Sequence, residues 1–330
     1  MKISIALCTY NGSKYLPDQL KSYLDQSRLP DELVVCDDRS SDDTLQILEN
    51  FKQQVTFPVH IYINEVNLGS TKNFEKAITL CTGDIIIFSD QDDVWLPAKI
   101  EKFEKIFHDH PNVGFVSSDL VNVDQNLSDL GTTMFSLLGL SDKLKQAFHS
   151  NKGFDILIRK NFFTGASSAF RKSLLEKVVP ISKQWVHDGW ISIIISVYSG
   201  IYIIDEPLTL YRQHASNQIG SQHLAATNGS ALFQRIVQSL TIPRHKYLDE
   251  VKGLIYLRDH LATVYDETSV LVSTQSLNDK IEHFSVRASL PSSYLSRLPV
   301  ILSELRARRY QKYSINGVGS AARDIFAILK

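Results

Sequence analysis

The stretch Asp84-Ile85-Ile86-Ile87-Phe88-Ser89-Asp90-Gln91-Asp92-Asp93-Val94-Trp95 constrains this chain more than any other. A short apolar run without polar alternation suits a strand buried on both faces of a parallel sheet. The run then breaks into three carboxylates within four residues. Like charges at a strand end repel one another unless a cation or a donor-rich ligand sits among them. Ligands of open α/β sheets bind beyond the carboxyl ends of the strands. Asp90 and Asp92 therefore read as an Asp-x-Asp site for a hard divalent ion carrying a diphosphate. A plain acidic turn, with Asp93 capping a helix that Trp95-Leu96-Pro97 begins, fits the same spacing.

The flanking sequence repeats this strand-then-polar pattern. Ile3 to Cys8 reads as a first buried strand, closed by Thr9-Tyr10-Asn11-Gly12, and Tyr15, Leu16, Leu20, Tyr23 and Leu24 recur at helical spacing. Glu32 to Cys36 is a second strand and ends in Asp37-Asp38. Ser40-Ser41-Asp42-Asp43-Thr44 then starts a helix with a serine N-cap, which accounts for Asp42 and Asp43 but less well for Asp37 and Asp38. Val59 to Ile63 predicts a third strand, Thr71 to Cys81 a helix, Trp95 to His108 another, and Val113 to Ser118 a strand ending at Asp119. Strand and helix in alternation imply parallel strands with right-handed crossovers.

The pattern loosens between Asn122 and His149, where a mobile loop with a short helix is expected over 131–150. Phe162 to Phe170 resumes as a strand, and Gly165 within it suggests close approach by a ligand or another backbone. His187-Asp188-Gly189-Trp190 opens a helix through Val197, and Ile201 to Ile204 is a strand running on towards Tyr211-Arg212-Gln213-His214. Past about residue 220 only helices are expected, near 231–240, 245–265 and 277–287, so a boundary separates 1–220 from 221–330. From Tyr294 onward, Leu295, Leu298, Ile301, Leu302 and Leu305 interleave with Arg297, Arg306, Arg308, Arg309 and Lys312. Such a segment suits an anionic membrane surface, or a packed helix with solvated charges.

A net charge of -1 gives no reason to propose nucleic acid as a partner. Cys8, Cys36 and Cys81 are odd in number and lie in apolar settings, as reduced core residues of a cytosolic protein do. The first residues turn polar too soon for a signal peptide, and no apolar run approaches the ~18–20 residues of a membrane span, so a soluble body is expected.

Six motifs fall in order over residues 1–218: Thr9-Tyr10-Asn11, Asp37-Asp38-Arg39-Ser40, Asn67-Leu68-Gly69, Asp90-Gln91-Asp92-Asp93, His187-Asp188-Gly189-Trp190 and Tyr211-Arg212-Gln213-His214. Together they resemble the family 2 glycosyltransferases, and within them the bacterial rhamnosyltransferases of polysaccharide and O-antigen assembly. The resemblance implies a GT-A fold, Rossmann-like with a mostly parallel sheet flanked by helices, here with a C-terminal helical extension. It implies inverting transfer from a nucleotide sugar, with dTDP-rhamnose the expected donor and UDP-glucose or UDP-galactose the alternatives. The expected acceptor is a lipid-linked saccharide at the cytoplasmic face of the cell membrane.

By the same resemblance, Thr9, Tyr10, Asn11 and Asp38 hold the nucleoside, and Asn67, Lys72 and Asn73 contact the donor. Asp90 touches ribose or sugar, Asp92 ligates Mn²⁺ or Mg²⁺, and His214 is an additional ligand. Asp188 stands where the family keeps its catalytic base, although it also suits a helix cap. His187 replaces a frequent glutamate and would orient Asp188, raise its pKa or fill space. A non-catalytic nucleotide-binding scaffold is the rival from another class, opposed by the retention of Asp92 and Asp188. A nucleotidyltransferase would need a glycine-rich phosphate loop after the first strand, which is missing.

Overall fold

A computed structural model describes residues 1–214, 241–242, 244–264, 267–326 and 328–329. Two compact units emerge, one of residues 1–154 with 162–217 and one of residues 155–161 with 218–330. The second unit thus takes a short segment from the middle of the chain as well as its C-terminal part.

The first unit is built on a nine-stranded sheet. Strands β1 (Ile3–Thr9), β2 (Glu32–Asp37), β3 (Val59–Ile63) and β4 (Ile85–Ser89) lie parallel in the order β3-β2-β1-β4. The sheet continues through β8 (Ser168–Arg171), antiparallel to both β4 and β6 (Val113–Val123), and then β9 (Gly200–Arg212), parallel to β6. Two short strands, β5 (Val94–Trp95) on β9 and β7 (Asp129–Thr133) on β6, complete it. Because β1 to β4, β6 and β9 all run one way, their carboxyl ends share one edge of the sheet.

Helices α1 (Leu16–Leu24), α2 (Thr44–Lys52), α3 (Ser70–Leu80) and α4 (Lys99–Asp109) cover the sheet. Ile3, Ile5, Leu7, Leu33, Val35, Ile85 and Ile87 form one core with Leu20 and Tyr23 of α1, Leu48 of α2, and Phe103 and Phe107 of α4. Helix α3 packs on β1 and β2 and buries Phe74, Ala77 and Ile78.

Several boundaries differ from expectation, each for a local reason. Asp93 caps nothing: it is buried and accepts the backbone N–H of Arg212 at 3.0 Å, so Val94–Trp95 becomes a strand and the helix waits until Lys99. The serine N-cap is absent as well. Ser40 instead bonds the Asp37 carboxylate, while Asp42 accepts from the backbone and hydroxyl of Thr44 and from the backbone of Ser13. Those bonds, working against partial burial, hold the Asp42 carboxyl down at about 2. The strand after Val113 passes Asp119 with a register irregularity and runs to Val123. The expected strand at Phe162 is confined to Ser168–Arg171, after a 3-10 turn over Gly165–Ser167. The two segments around Ile201 and Leu208 are one long strand. In place of a loop over 131–150 stand β7, α5 (Met134–Leu138) and α6 (Asp142–His149). Short helices α7 (Gly153–Leu157) and α8 (Leu175–Val178) precede α9 (His187–Tyr198), which starts where the sequence indicates. All three cysteines are free and buried.

The second unit pairs two long helices, α10 (Arg244–Val264) and α11 (Glu267–Ala288), with α12 (Tyr294–Arg306), α13 (Arg309–Tyr313) and α14 (Val318–Phe326). The helix expected near 231–240 lies outside the described residues. Two-residue strands Thr241–Ile242 and Ile328–Leu329 pair in parallel, which the all-helical expectation missed. The core combines Leu290, Ile301, Tyr310 and Ala321 with a buried polar network. Arg287 pairs with Asp324 at 2.7 Å, and the His283 ring lies between Glu304 at 2.6 Å and Ser314 at 3.0 Å. Helix α12 turns its polar residues inward: Arg297 and Glu304 are buried, whereas Leu295 is 80% and Leu302 49% exposed. No described helix is long and apolar enough to cross a membrane.

Candidate active site at the carboxyl edge of the sheet

The shared strand edge collects the acidic residues. Asp37 ends β2 beside Thr9, whose hydroxyl donates to it at 2.8 Å. Asp38 follows, buried, and accepts from the Asn64 side chain at 2.7 Å and from the backbone N–H groups of Leu68 at 2.7 Å and Gly69 at 2.9 Å. That carboxylate fixes the 67–69 turn, and Asn67 bonds back to the Asp38 carbonyl. Asn73 ties Asn64 to the end of β2 through the Cys36 carbonyl. Lys72 is paired with Glu75 at 2.6 Å.

After β1 the chain turns sharply, with Asn11 in the left-handed region at φ 47°. Such a backbone suits asparagine better than most residues. The Asn11 side chain accepts from the backbone of Ser41, joining the first and second loops. The Gln91 amide makes two bonds to the backbone of Tyr10, accepting at 2.8 Å and donating at 3.0 Å. Gln91 thereby clamps the β4 turn to the β1 turn and leaves the Tyr10 ring 51% exposed.

Asp90, Asp92 and Asp93 crowd the end of β4. Burial and the neighbouring carboxylates of Asp92 and Asp188 push the Asp90 carboxyl up to about 7, against the pull of Lys99. Burial likewise raises Asp93, whose Oδ2 has no partner. Asp92 meets His214, Nε2 to Oδ2 at 2.8 Å, and the His214 ring packs against Tyr15.

Two cations lie beneath this acid. Lys99 is fully buried, and its Nζ donates to the Ala166 carbonyl at 2.6 Å and to the Thr209 hydroxyl at 3.0 Å, 3.9 Å from the centre of the Trp95 ring. Arg212 is 2% exposed; it donates to the carbonyls of Asp92 and Gln125 and pairs with Asp18 at 2.8 Å.

Asp188 sits in the first turn of α9, 5% exposed. One oxygen accepts the Gly165 N–H at 3.0 Å and the other the Gly189 N–H. His187 neither bonds nor charges Asp188. Its ring stacks on Phe74 at 3.8 Å and meets Phe88 edge-on, with both nitrogens buried and unpartnered, and burial drops its pKa to about 3. Of the three roles expected for it, filling space is the one its contacts match. The close approach at Gly165 is this same ring, since a Cβ there would collide with the His187 Nε2.

The glycosyl transferase family 2 model matches residues 4–179, more than half of the chain. The chain belongs to glycosyl transferase family 2. It is a transferase that acts on nucleotide sugars. The dTDP-rhamnosyl transferase RfbG of Shigella flexneri is 30% identical over 228 residues, which span 65% of this chain and 74% of that protein. The S. aureus TarS 1–349 crystal structure superposes with a TM-score of 0.55 at 17% identity, covering 95% of this chain and 89% of TarS. The mannosyltransferase PcManGT from Pyrobaculum calidifontis, solved with GDP-Man and Mn²⁺, gives 0.50 at 14% identity over 98% of this chain and 84% of its own. At such identities the two structures speak for the GT-A-like fold alone.

In this family 2 glycosyltransferase the fold brings Asp90, Asp92, Asp188 and His214 into one neighbourhood, with Thr9, Tyr10 and Asn11 on the adjoining loop. Asp38, Asn67 and Asn73 form a second network that holds the β2 edge, and Lys72 faces Glu75. Sequence reasoning missed Gln91, Lys99 and the bracing part of Arg212. Only Arg212 had a signal, its place inside the Tyr-Arg-Gln-His motif.

The raised Asp90 carboxyl has a pH consequence. An unfolded aspartate ionises near 3.9, so between about pH 4 and 7 the native protein holds a proton that the unfolded chain has lost. Stability therefore falls as pH rises through that window. With chelator present, Asp90→Asn should melt higher than the parent at pH 8, and the gap should close by pH 4. Equal melting temperatures at pH 8 would contradict the crowding.

Proposed function

We propose that the protein is an inverting, metal-dependent hexosyltransferase that passes L-rhamnose from dTDP-rhamnose to a growing lipid-linked glycan of the cell surface. The observation that carries the reading is the carboxylate pair at the sheet edge: Asp188 approaches Asp90 closely enough to raise its pKa, while Asp92 meets His214. The rhamnosyl transferase of Shigella flexneri supports the donor.

In this reading Thr9, Tyr10, Asn11 and Asp38 face the nucleoside, and Asn67, Lys72, Asn73 and Asp90 the remainder of the donor. Asp92 and His214 would hold Mn²⁺ or Mg²⁺. Their chemistry suits it, a carboxylate oxygen with an imidazole favouring Mn²⁺. Among the described residues no three His, Cys, Asp or Glu side chains form a ready cage. That accords with ions bound through one or two protein ligands plus substrate phosphates. When bound, the ion supplies Lewis-acid stabilisation of the leaving diphosphate.

Asp188 acts as the base. Its two backbone donors orient the carboxylate, which takes the acceptor hydroxyl's proton. The acceptor oxygen forms the new bond to the anomeric carbon as the bond to the diphosphate oxygen breaks, and the nucleotide leaves with that electron pair. Asp188→Asn should cut transfer by roughly 10²–10⁴, about 3–5 kcal/mol, with donor affinity kept and the melting temperature lowered, because the amide NH₂ cannot accept from one of the two backbone N–H groups. Near-normal turnover in the folded variant would falsify the base assignment.

Asp92→Ala should abolish transfer and remove the Mn²⁺-dependent part of nucleotide affinity, since a charged ligand is lost. Calorimetry of dTDP with and without Mn²⁺ reads this directly, and an unchanged Mn²⁺ effect would refute the ligand role.

Peripheral contact with an anionic membrane at the cytoplasmic face, where a lipid-linked acceptor resides, completes the reading. It is supported by α12, where Tyr294, Leu295, Leu298 and Leu302 are exposed beside Arg306 and Arg308. Vesicle flotation should fall several-fold when Leu295, Leu298 and Leu302 are changed together to Ser. Flotation at the parent's level would leave the stripe without this role.

A further inference from the structure

The helical unit contains an open pocket of about 410 Å³ that neither the donor site nor the family match accounts for. Its walls come from the inserted segment 155–161 and from the turn that joins α12 to α13, so it lies within one compact unit. Lys280 anchors the inserted segment, donating to the Ile158 carbonyl at 2.6 Å and pairing with Glu250 at 2.8 Å.

Three cations line the pocket: Arg159, Arg308 and Lys312. Asp155 is the one acidic residue of the lining, beside Ser276 and Gln311 as polar groups. Arg287, Arg297 and Arg309 of the same unit are each engaged by other groups. Arg309 pairs with Glu282 at 2.6 Å and Glu304 at 3.0 Å, Arg287 pairs with Asp324, and Arg297 donates to the carbonyls of Pro291 and Ser292. Arg159 and Arg308 have no ion pair or side-chain hydrogen bond among the described residues, and Lys312 lies 5.5 Å from the centre of the Tyr313 ring. All three are exposed at the rim with only Asp155 against them, so the mouth of the pocket carries net positive charge that attracts anions.

Arg308 adds an independent observation. Its backbone is left-handed, at φ 55°, in a position that asparagine or glycine would occupy with less strain. It follows the C-cap of α12, where a left-handed residue ends the helix, and the turn it makes sets Arg308 at the pocket. The guanidinium fork matches two oxygens of one phosphate, and the ammonium of Lys312 serves as a point charge beside it.

We propose that this pocket binds phosphate-bearing anions, through Arg308, Lys312 and Arg159. The chemistry is shared by a phospholipid headgroup and by a soluble phosphate compound. The proposal is independent of the donor site and shares only Arg308 with the basic flank of the apolar stripe on α12.

The test uses the full chain without divalent ions, titrated with inorganic pyrophosphate. The parent should bind, more weakly as salt rises, and Arg308→Ser/Lys312→Ser should bind at least tenfold more weakly with an unchanged melting temperature. Asp92→Ala should bind pyrophosphate as the parent does, which separates this pocket from the donor site. Absence of binding by the parent, or equal binding by the double variant, would overturn the proposal. Competition with dissolved, short-chain phosphatidylglycerol below its micelle concentration then names the source. Displacement of pyrophosphate from the parent assigns a headgroup, and no displacement, with a soluble sugar phosphate displacing it instead, assigns a soluble phosphate.

Discussion

Carboxylates crowded at the end of β4 are the constraint on which the rest of the first unit depends. Asp90, Asp92 and Asp93 follow a strand buried along its whole length, with Asp188 close by from another element. Such a cluster is tolerable only if cations and directed N–H groups stand near it. Lys99 supplies charge from below, and burial in turn depresses its own pKa against the pull of Asp93 and Asp90. Arg212 supplies an N–H to Asp93 and a guanidinium to the Asp92 carbonyl.

The same contacts tie the candidate base to the acidic turn. Lys99 donates to the Ala166 carbonyl, and the neighbouring Gly165 N–H donates to Asp188. On the far side His187 fills the space between Phe74 and Phe88, where only a glycine at 165 leaves room for it. A neutral aromatic ring next to Asp188 adds no charge to that crowded region. A glutamate at the same position would bring another carboxylate to a region already crowded with them.

The parts of this arrangement legible in the sequence are those encoded locally. Asp90 and Asp92 stood out because an apolar run ends abruptly in acid, and Asp188 because a His-Asp-Gly-Trp motif opens a helix. The alternating strands and helices of the first 120 residues were legible for the same reason. Lys99 was not, since nothing near it in the chain marks a lysine whose partner is 67 residues away. Arg212 reaches Asp92 across 120 residues. The long β9 strand was read as two because its middle, Asp205-Glu206-Pro207, is polar, yet pairing with β6 carries it through. In α12 the sequence offered one apolar set, but the fold splits it: Ile301 and Leu305 pack on the core while Leu295, Leu298 and Leu302 face out, with Asp324 and the Pro291–Ser292 turn holding Arg297 inward.

The pairing of β5 with β9 also orders events in time. Val94 and Trp95 meet Leu210 and Thr209, so the acidic turn takes its final form only after the chain has been made to beyond residue 212. Until then the β1–β4 half can fold as a local, low-contact-order unit, while Asp93 lacks its N–H donor and Lys99 lacks the Thr209 hydroxyl. During synthesis the sheet edge is therefore an electrostatically frustrated surface that closes late. The last strand of the domain acts as a clasp, making an assembled site a certificate that the whole first unit has been completed.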